Sequence, residues 1–216
     1  MRQGIFISLE GGEGAGKSTQ LRRLSDRLSQ TGIKNICTRE PGGTAGAEEI
    51  RNLLVRGDAA RWTPKTEALL MYAARQEHVE EVIKPALARG QWVLCDRFAD
   101  SSMAYQGIGH GLGIDRIAAL NQWVLEGFQP DMTLILDLPV SVGLSRTEGH
   151  AVGENRFEGM DVAFHERMRQ GFLSIARANP ERCTVIDATT SAEVVAENIW
   201  NAVVAKTAKA NPELES

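Results

Sequence analysis

An apolar run, Ile5-Phe6-Ile7-Ser8-Leu9, leads directly into Gly11-Gly12-Glu13-Gly14-Ala15-Gly16-Lys17-Ser18, and an amphipathic segment follows from Lys17 to about Ser29. Few backbones accept a strand, a glycine loop and a helix in that order. The spacing satisfies G-x-x-x-x-G-K-[ST], with a strand before it and a helix after it. Glycines at Gly11, Gly12, Gly14 and Gly16, with small Ala15 between, let the loop turn its N–H groups inward around a phosphate. The helix N-terminus adds partial positive charge. Lys17 supplies a full charge for β- and γ-phosphates, and the Ser18 hydroxyl, next to Thr19, suits Mg²⁺. The loop therefore predicts a bound nucleoside triphosphate, ATP with Mg²⁺.

The rest of the chain alternates short β-rich runs with longer amphipathic ones. Asn35–Thr38, Trp92–Cys95, Met132–Asp137 and Thr184–Ile186 read as four further strands. Helices are expected over Ala47–Val55, Thr66–Ala88 with Pro85 bending its last turn, Ile114–Glu126 and Ala192–Lys206. Gly32 sits where it can close the first helix. Gly107–Gly113 reads as a glycine-rich loop, Thr147–Gly159 as a mobile lid between two helices, and Asn211–Ser216 as a frayed tail. Residues 1–210 thus read as one domain. This alternation predicts an α/β fold, a parallel sheet covered by helices on both faces. Ligands in such sheets bind beyond the carboxyl ends of the strands.

Composition narrows the partners. A length of 216 residues with 43% apolar content supports one core, and a net charge of −4 argues against a general nucleic-acid binder. Cys37, Cys95 and Cys183 are scattered and odd in number, and Cys37 and Cys95 sit in apolar strand-like runs, where a small buried thiol is expected. His78, His110, His150 and His165 show no metal-ligand spacing and read as surface or packing residues, while Trp62, Trp92, Trp123 and Trp200 suit packing or an interface. No signal-like leader and no membrane-length apolar stretch is apparent, so a cytoplasmic protein without membrane association is expected.

The residues after each strand then decide among phosphate-loop chemistries. No N-K-x-D tetrapeptide and no D-x-x-G after a strand is present, which removes the guanine-nucleotide switch reading. Arg39 ends the second strand and Asp96-Arg97 ends the third, while Arg51 and Arg75 lie on helices that start near those ends. Several guanidiniums can converge there on a second anion, and Asp96 stands where a carboxylate orients a Mg²⁺-bound water.

The stretches Glu10–Thr19, Thr38-Arg39-Glu40-Pro41-Gly42-Gly43-Thr44 and Asp96-Arg97-Phe98 together resemble the signature loops of the bacterial thymidylate kinases. Tyr72-Ala73-Ala74-Arg75, Ala104-Tyr105-Gln106-Gly107, the Pro130–Leu134 run and Ile186-Asp187-Ala188 extend the resemblance over nearly the whole length. It implies a three-layer P-loop NTPase fold, a five-stranded parallel sheet with a lid, and transfer of phosphate from ATP to dTMP. It also implies a homodimer built through helices.

Roles follow position by position from the resemblance. Glu13 approaches the acceptor deoxyribose; Arg97 holds the acceptor phosphate; Asp96 and Ser18 serve Mg²⁺; Arg75 meets the thymine edge. Arg39, Pro41, Arg51, Ser102 and Gln106 complete the acceptor site, and Tyr105 excludes a 2′-hydroxyl. Some relatives carry an arginine within the phosphate loop; Gly14 stands there instead, so a lid arginine is expected to stabilise the transferring phosphoryl group. Arg156, in Asn155-Arg156-Phe157-Glu158, is favoured over Arg146 for that duty. Met71 replaces a phenylalanine usual in the family, with its polarizable sulfur offered to the base. The competing readings are a kinase for another nucleoside monophosphate and a non-catalytic nucleotide-binding module.

Overall fold

The structure is a computed structural model that describes residues 4–58, 60–147, 156–157 and 159–207. Most of the lid interior and the C-terminal tail therefore lie outside the described residues. Five strands, β1 (Phe6–Gly11), β2 (Asn35–Arg39), β3 (Trp92–Asp96), β4 (Met132–Asp137) and β5 (Cys183–Asp187), form one parallel sheet in the order β2-β3-β1-β4-β5. β1 is central and buried at every position, so the loop that follows it emerges at the middle of the sheet's carboxyl edge.

Alternation along the strands distributes side chains to two cores. Ile7, Leu9, Leu94 and Leu134 pack against Leu21, Leu24 and Leu28 of α1 (Lys17–Gln30) and against Val195, Ile199 and Val203 of α9 (Ala192–Thr207). On the opposite face, Phe6, Val93 and Cys95 meet Val79, Ile83 and Leu87, and Ile135 meets Phe164, Met168 and Phe172 of α8 (Val162–Ala178). Burial of such side chains contributes roughly 1.5–3 kcal/mol each against exposure.

Three local features depart from the sequence pattern. The segment expected as one helix bent at Pro85 is α3 (Pro64–His78), a wider turn over Val79–Ile83, and α4 (Lys84–Ala88). The widened turn just before Pro85 absorbs the missing N–H and the ring clash. Gly107 and Gly109, expected in a loop, belong to a helical stretch that begins as α5 (Ala99–Ser102) and continues as a wide helix over Met103–Gly109. At Gly109 the reason is a close neighbour, since a Cβ there would sit 2.7 Å from the Phe164 ring; the facing Gly171 is similar, its Cβ falling 2.8 Å from Ile108. Cys37, expected buried, is exposed, since β2 is an edge strand, whereas Cys95 on interior β3 is buried.

The remaining helices are α2 (Ala45–Val55), α6 (Ile114–Leu125) and α7 (Val140–Thr147). Thr44 caps α2 and Thr63 caps α3, each side chain accepting from the N–H three residues on, the usual satisfaction of orphan donors at a helix start. Among the described residues, no helix is long and apolar enough to cross a membrane.

Candidate active site

The phosphate loop closes around its own lysine. Gly16, in the left-handed region at φ 86°, ends the loop, and α1 starts at Lys17. The buried Lys17 ammonium donates to the carbonyls of Gly12 (2.8 Å) and Gly11 (3.3 Å). Burial, and then the nearby Arg97, lower its pKa, although Glu13 and Asp96 oppose this. The Ser18 hydroxyl donates to Asp96 at 2.6 Å, joining the start of α1 to the end of β3. A hydroxyl and a carboxylate oxygen in that relation are hard ligands of the kind Mg²⁺ and its water shell prefer. Among the described residues, no cluster of three or more His, Cys, Asp or Glu side chains competes as a metal centre.

Gly14 answers a question of shape. Its φ is 67°, and a Cβ there would lie 2.0 Å from the Gly143 carbonyl; a Cβ on Gly143 would lie 2.4 Å from the Glu13 carbonyl. The loop and α7 approach until neither tolerates a side chain. An arginine at position 14 has no room, in keeping with transfer of that duty to another segment.

Beside the loop lies an open cleft lined by Glu13, Glu40, Pro41, Arg51, Val55, Met71, Arg75, Arg97, Ser101, Ser102, Tyr105, Gln106 and Phe157. Of the acceptor residues expected from sequence, only Arg39 is not among them. Arg39 sits on the exposed end of edge strand β2 and pairs with both oxygens of Glu48 (3.1 and 3.0 Å), a carboxylate in the first turn of α2.

Arg97 joins the two compartments. Its guanidinium donates to the Gly11 carbonyl (2.9 Å), the Ser101 hydroxyl (3.3 Å) and Glu13 (3.0 Å). Glu13 also accepts from the Tyr105 hydroxyl at 2.5 Å. Burial alone would raise the Glu13 pKa, but Arg97, then Lys17 and the Tyr105 hydroxyl, overcome it and hold the carboxyl at about 2. Burial raises the Tyr105 phenol, so it stays a donor. The result is an ionised carboxylate and a fixed phenol at one wall of the cleft.

Arg75 forms the far wall and is almost fully buried. Its Nε donates to Glu40 (2.6 Å), and its terminal nitrogens donate to Ser102 (3.0 Å) and the Phe98 carbonyl (3.0 Å). Arg75 also lies over the Tyr72 ring, 4.6 Å from its centroid, and its guanidinium lines the cleft. Glu40, whose second oxygen lies 3.1 Å from His78 Nδ1, was not singled out from sequence. Its position in Thr38–Thr44 was the available signal, but its partner on α3 is remote in sequence.

The two lid arginines separate. Arg156, 2% exposed, ion-pairs with Glu67 at 2.6 Å and donates to the carbonyls of Leu54 (3.2 Å) and Asp58 (3.2 Å). Glu67 is fully buried and also accepts from Gln106 at 2.7 Å. In this structure Arg156, favoured from sequence for phosphoryl transfer, is held on the α2–α3 side by Glu67 and two backbone carbonyls at the base of the lid. Arg146, at the end of α7, instead reaches the Gly14 carbonyl at 3.4 Å and the Ala188 carbonyl at 3.5 Å. It is the lid arginine placed beside the phosphate loop.

A phosphate loop with its lysine, a hydroxyl–carboxylate pair for a metal, and an adjoining arginine-walled cleft define a P-loop phosphotransferase of the nucleoside monophosphate kinase class. The model of the family described as "Thymidylate kinase" matches residues 9–199. A thymidylate kinase of Caulobacter vibrioides is 60% identical over 94% of this chain and 98% of its own length, and one of Magnetococcus marinus is 48% identical over 93% and 96%. The crystal structure of thymidylate kinase from Ehrlichia chaffeensis superposes with a TM-score of 0.78 at 34% identity, covering 93% of this chain and 99% of that one. The chain belongs to the thymidylate kinase family.

Proposed function

We propose that this protein transfers the γ-phosphoryl group of ATP to dTMP, giving ADP and dTDP. The observation that carries the reading is Arg97. One guanidinium touches the phosphate loop at Gly11 and the cleft wall at Glu13, so an acceptor phosphate bound to it stands beside the donor loop. Family membership supplies the acceptor's identity, and the cleft is consistent with it. Arg75, a donor with no acceptor atom on the cleft wall, suits the O4 acceptor of thymine and opposes the amino group of cytosine. Tyr105, fixed by Glu13, stands against the sugar and leaves no room for a 2′-hydroxyl.

Transfer is direct and in-line. An oxygen of the acceptor phosphate, already ionised, attacks the γ-phosphorus while the bond to the ADP oxygen breaks, so no strong base and no covalent enzyme intermediate is required. Lys17 and the loop amides hold the polyphosphate, Arg97 and Arg51 hold the acceptor, and Arg146 adds positive charge on the donor side. Mg²⁺, held through Ser18 and Asp96, would neutralise charge between the phosphates. Positioning and electrostatics account for the rate enhancement.

The exposed apolar face of α3 and α6, with Leu69 and Trp123 (76% exposed), is the surface we assign to a second copy of the chain, giving a homodimer. An acceptor panel with coupled ADP detection tests the activity: dTMP is expected to exceed UMP, dCMP, GMP and AMP by at least ~10²-fold in kcat/KM. Equal turnover of another monophosphate would replace dTMP as the substrate. ATP binding with no acceptor-dependent ADP release would leave only a nucleotide-binding module.

A further inference from the structure

Glu10 is the last side chain of β1 before the phosphate loop, and it is fully buried. It does not line the cleft, yet both of its oxygens are engaged. Oε1 accepts from the Phe98 N–H at 2.7 Å and Oε2 from the Ser101 hydroxyl at 2.6 Å. These partners flank Arg97: Phe98 is the next residue, and Ser101 accepts from the Arg97 guanidinium.

The Arg97 backbone itself needs holding. Its φ is 70°, in the left-handed region that residues bearing a Cβ avoid. A residue persists there only where its surroundings over-determine it, at a cost of order 1–3 kcal/mol. Three consecutive residues of β1 supply that constraint. The Leu9 carbonyl accepts the Arg97 N–H (2.9 Å), Glu10 takes Phe98 and Ser101, and the Gly11 carbonyl takes the guanidinium (2.9 Å).

We propose that Glu10 is a positioning residue for phosphoryl transfer: it clamps the turn after β3 so that the Arg97 guanidinium faces the acceptor phosphate beside the donor loop. The clamp rests on the assignment of Arg97 to the acceptor phosphate. It depends on hydrogen-bond geometry more than on charge. Burial, and then Asp100, push the Glu10 carboxyl up to about 8, while Asp100 itself is turned to Arg182 at 2.6 and 3.0 Å. A glutamine can reproduce the clamp, its carbonyl accepting from Phe98 and its amide donating to a reoriented Ser101 hydroxyl.

The test compares E10Q, E10D, E10M and R97A, together with the E10M/R97A double variant, in steady-state kinetics with both substrates varied and in thermal melts. A displacement of about 1 Å at a reacting group can cost ~10²-fold, so E10M and E10D are expected to lose about 10–100-fold in kcat/KM for dTMP. KM for ATP is expected to stay within about 3-fold, and E10Q is expected to keep dTMP efficiency within about 3-fold. In the R97A background, E10M is expected to add less than about 3-fold further loss. If E10M does not fold, E10D carries the same comparison. Unaltered dTMP efficiency in folded E10M or E10D overturns the proposal. So does an equal loss in E10Q, or full additivity with R97A. If R97A itself leaves KM for dTMP unchanged, the assignment of Arg97 fails instead.

Discussion

Replacing Arg156 by methionine removes one half of the buried Arg156–Glu67 pair while keeping most of the side-chain volume. Both side chains of that pair are fully enclosed. Burial alone would raise the Glu67 pKa; hydrogen bonds from His110 and Gln106, and then the charge of Arg156, reverse it and keep the carboxyl ionised. The variant therefore removes the guanidinium partner of a buried carboxylate and leaves it only His110 and Gln106, a change that costs about 3–5 kcal/mol. For 216 residues, an unfolding entropy of ~2.1 cal/mol/K per residue gives ~450 cal/mol/K, so Tm is expected to fall by about 7–11 °C. Well below that Tm, kcat is expected to stay within about 3-fold, the outcome for an arginine that serves the Glu67 pair. Adding E67Q is expected to restore part of the loss, since an amide in place of the carboxylate leaves no buried charge. Differential scanning calorimetry beside steady-state kinetics decides the matter. A Tm within about 2 °C of the parent, with kcat down more than about 100-fold, would refute the reasoning and return Arg156 to the chemistry.

Gly14→Ala is expected to lower kcat/KM for ATP at least ~10-fold, because the new methyl meets the Gly143 carbonyl, whereas Gly32→Ala, also at positive φ but with open space around it, should cost about 1 kcal/mol of stability and no activity. The depressed pKa of Glu13 contributes stability that is present above about pH 4.5 and is lost as pH falls toward 2; urea midpoints of E13Q should accordingly show a flatter acid limb than the parent. The raised pKa of Glu10 acts in the opposite sense, its cost growing as pH rises from about 4.5 toward 8, so E10Q should gain stability relative to the parent across that window. Trp123→Glu places a charge on the apolar α3–α6 face, and analytical ultracentrifugation should show a shift from dimer to monomer; an unchanged dimer would move the interface elsewhere.

The phosphate loop was legible in the sequence because its requirement is local: glycines, a lysine and a hydroxyl at fixed spacing specify the backbone by themselves. Strand-end residues such as Arg97 were legible for a related reason, since the topology of a parallel sheet dictates where carboxyl ends lie. The partners of Arg156 and Arg39 were not legible, because no local pattern announces them. Glu67 captures Arg156 from another helix, and Glu48 captures Arg39 across the turn into α2. Gly109 read as part of a loop because glycine punctuates chains more often than it makes room for a neighbouring ring. Phe164, far along the sequence, supplies that ring. Glu10 looked like part of a motif; only the folded turn at Arg97 shows what its two oxygens hold.

A single turnover with γ-phosphate-labelled ATP and excess dTMP tests the central claim most directly. The account predicts that the label passes to dTDP in one-to-one ratio with ADP formed, never residing on the protein, and that Lys17→Ala, still folded by circular dichroism, abolishes the transfer. Label trapped on the protein or released as inorganic phosphate, or transfer surviving in the Lys17 variant, would contradict it.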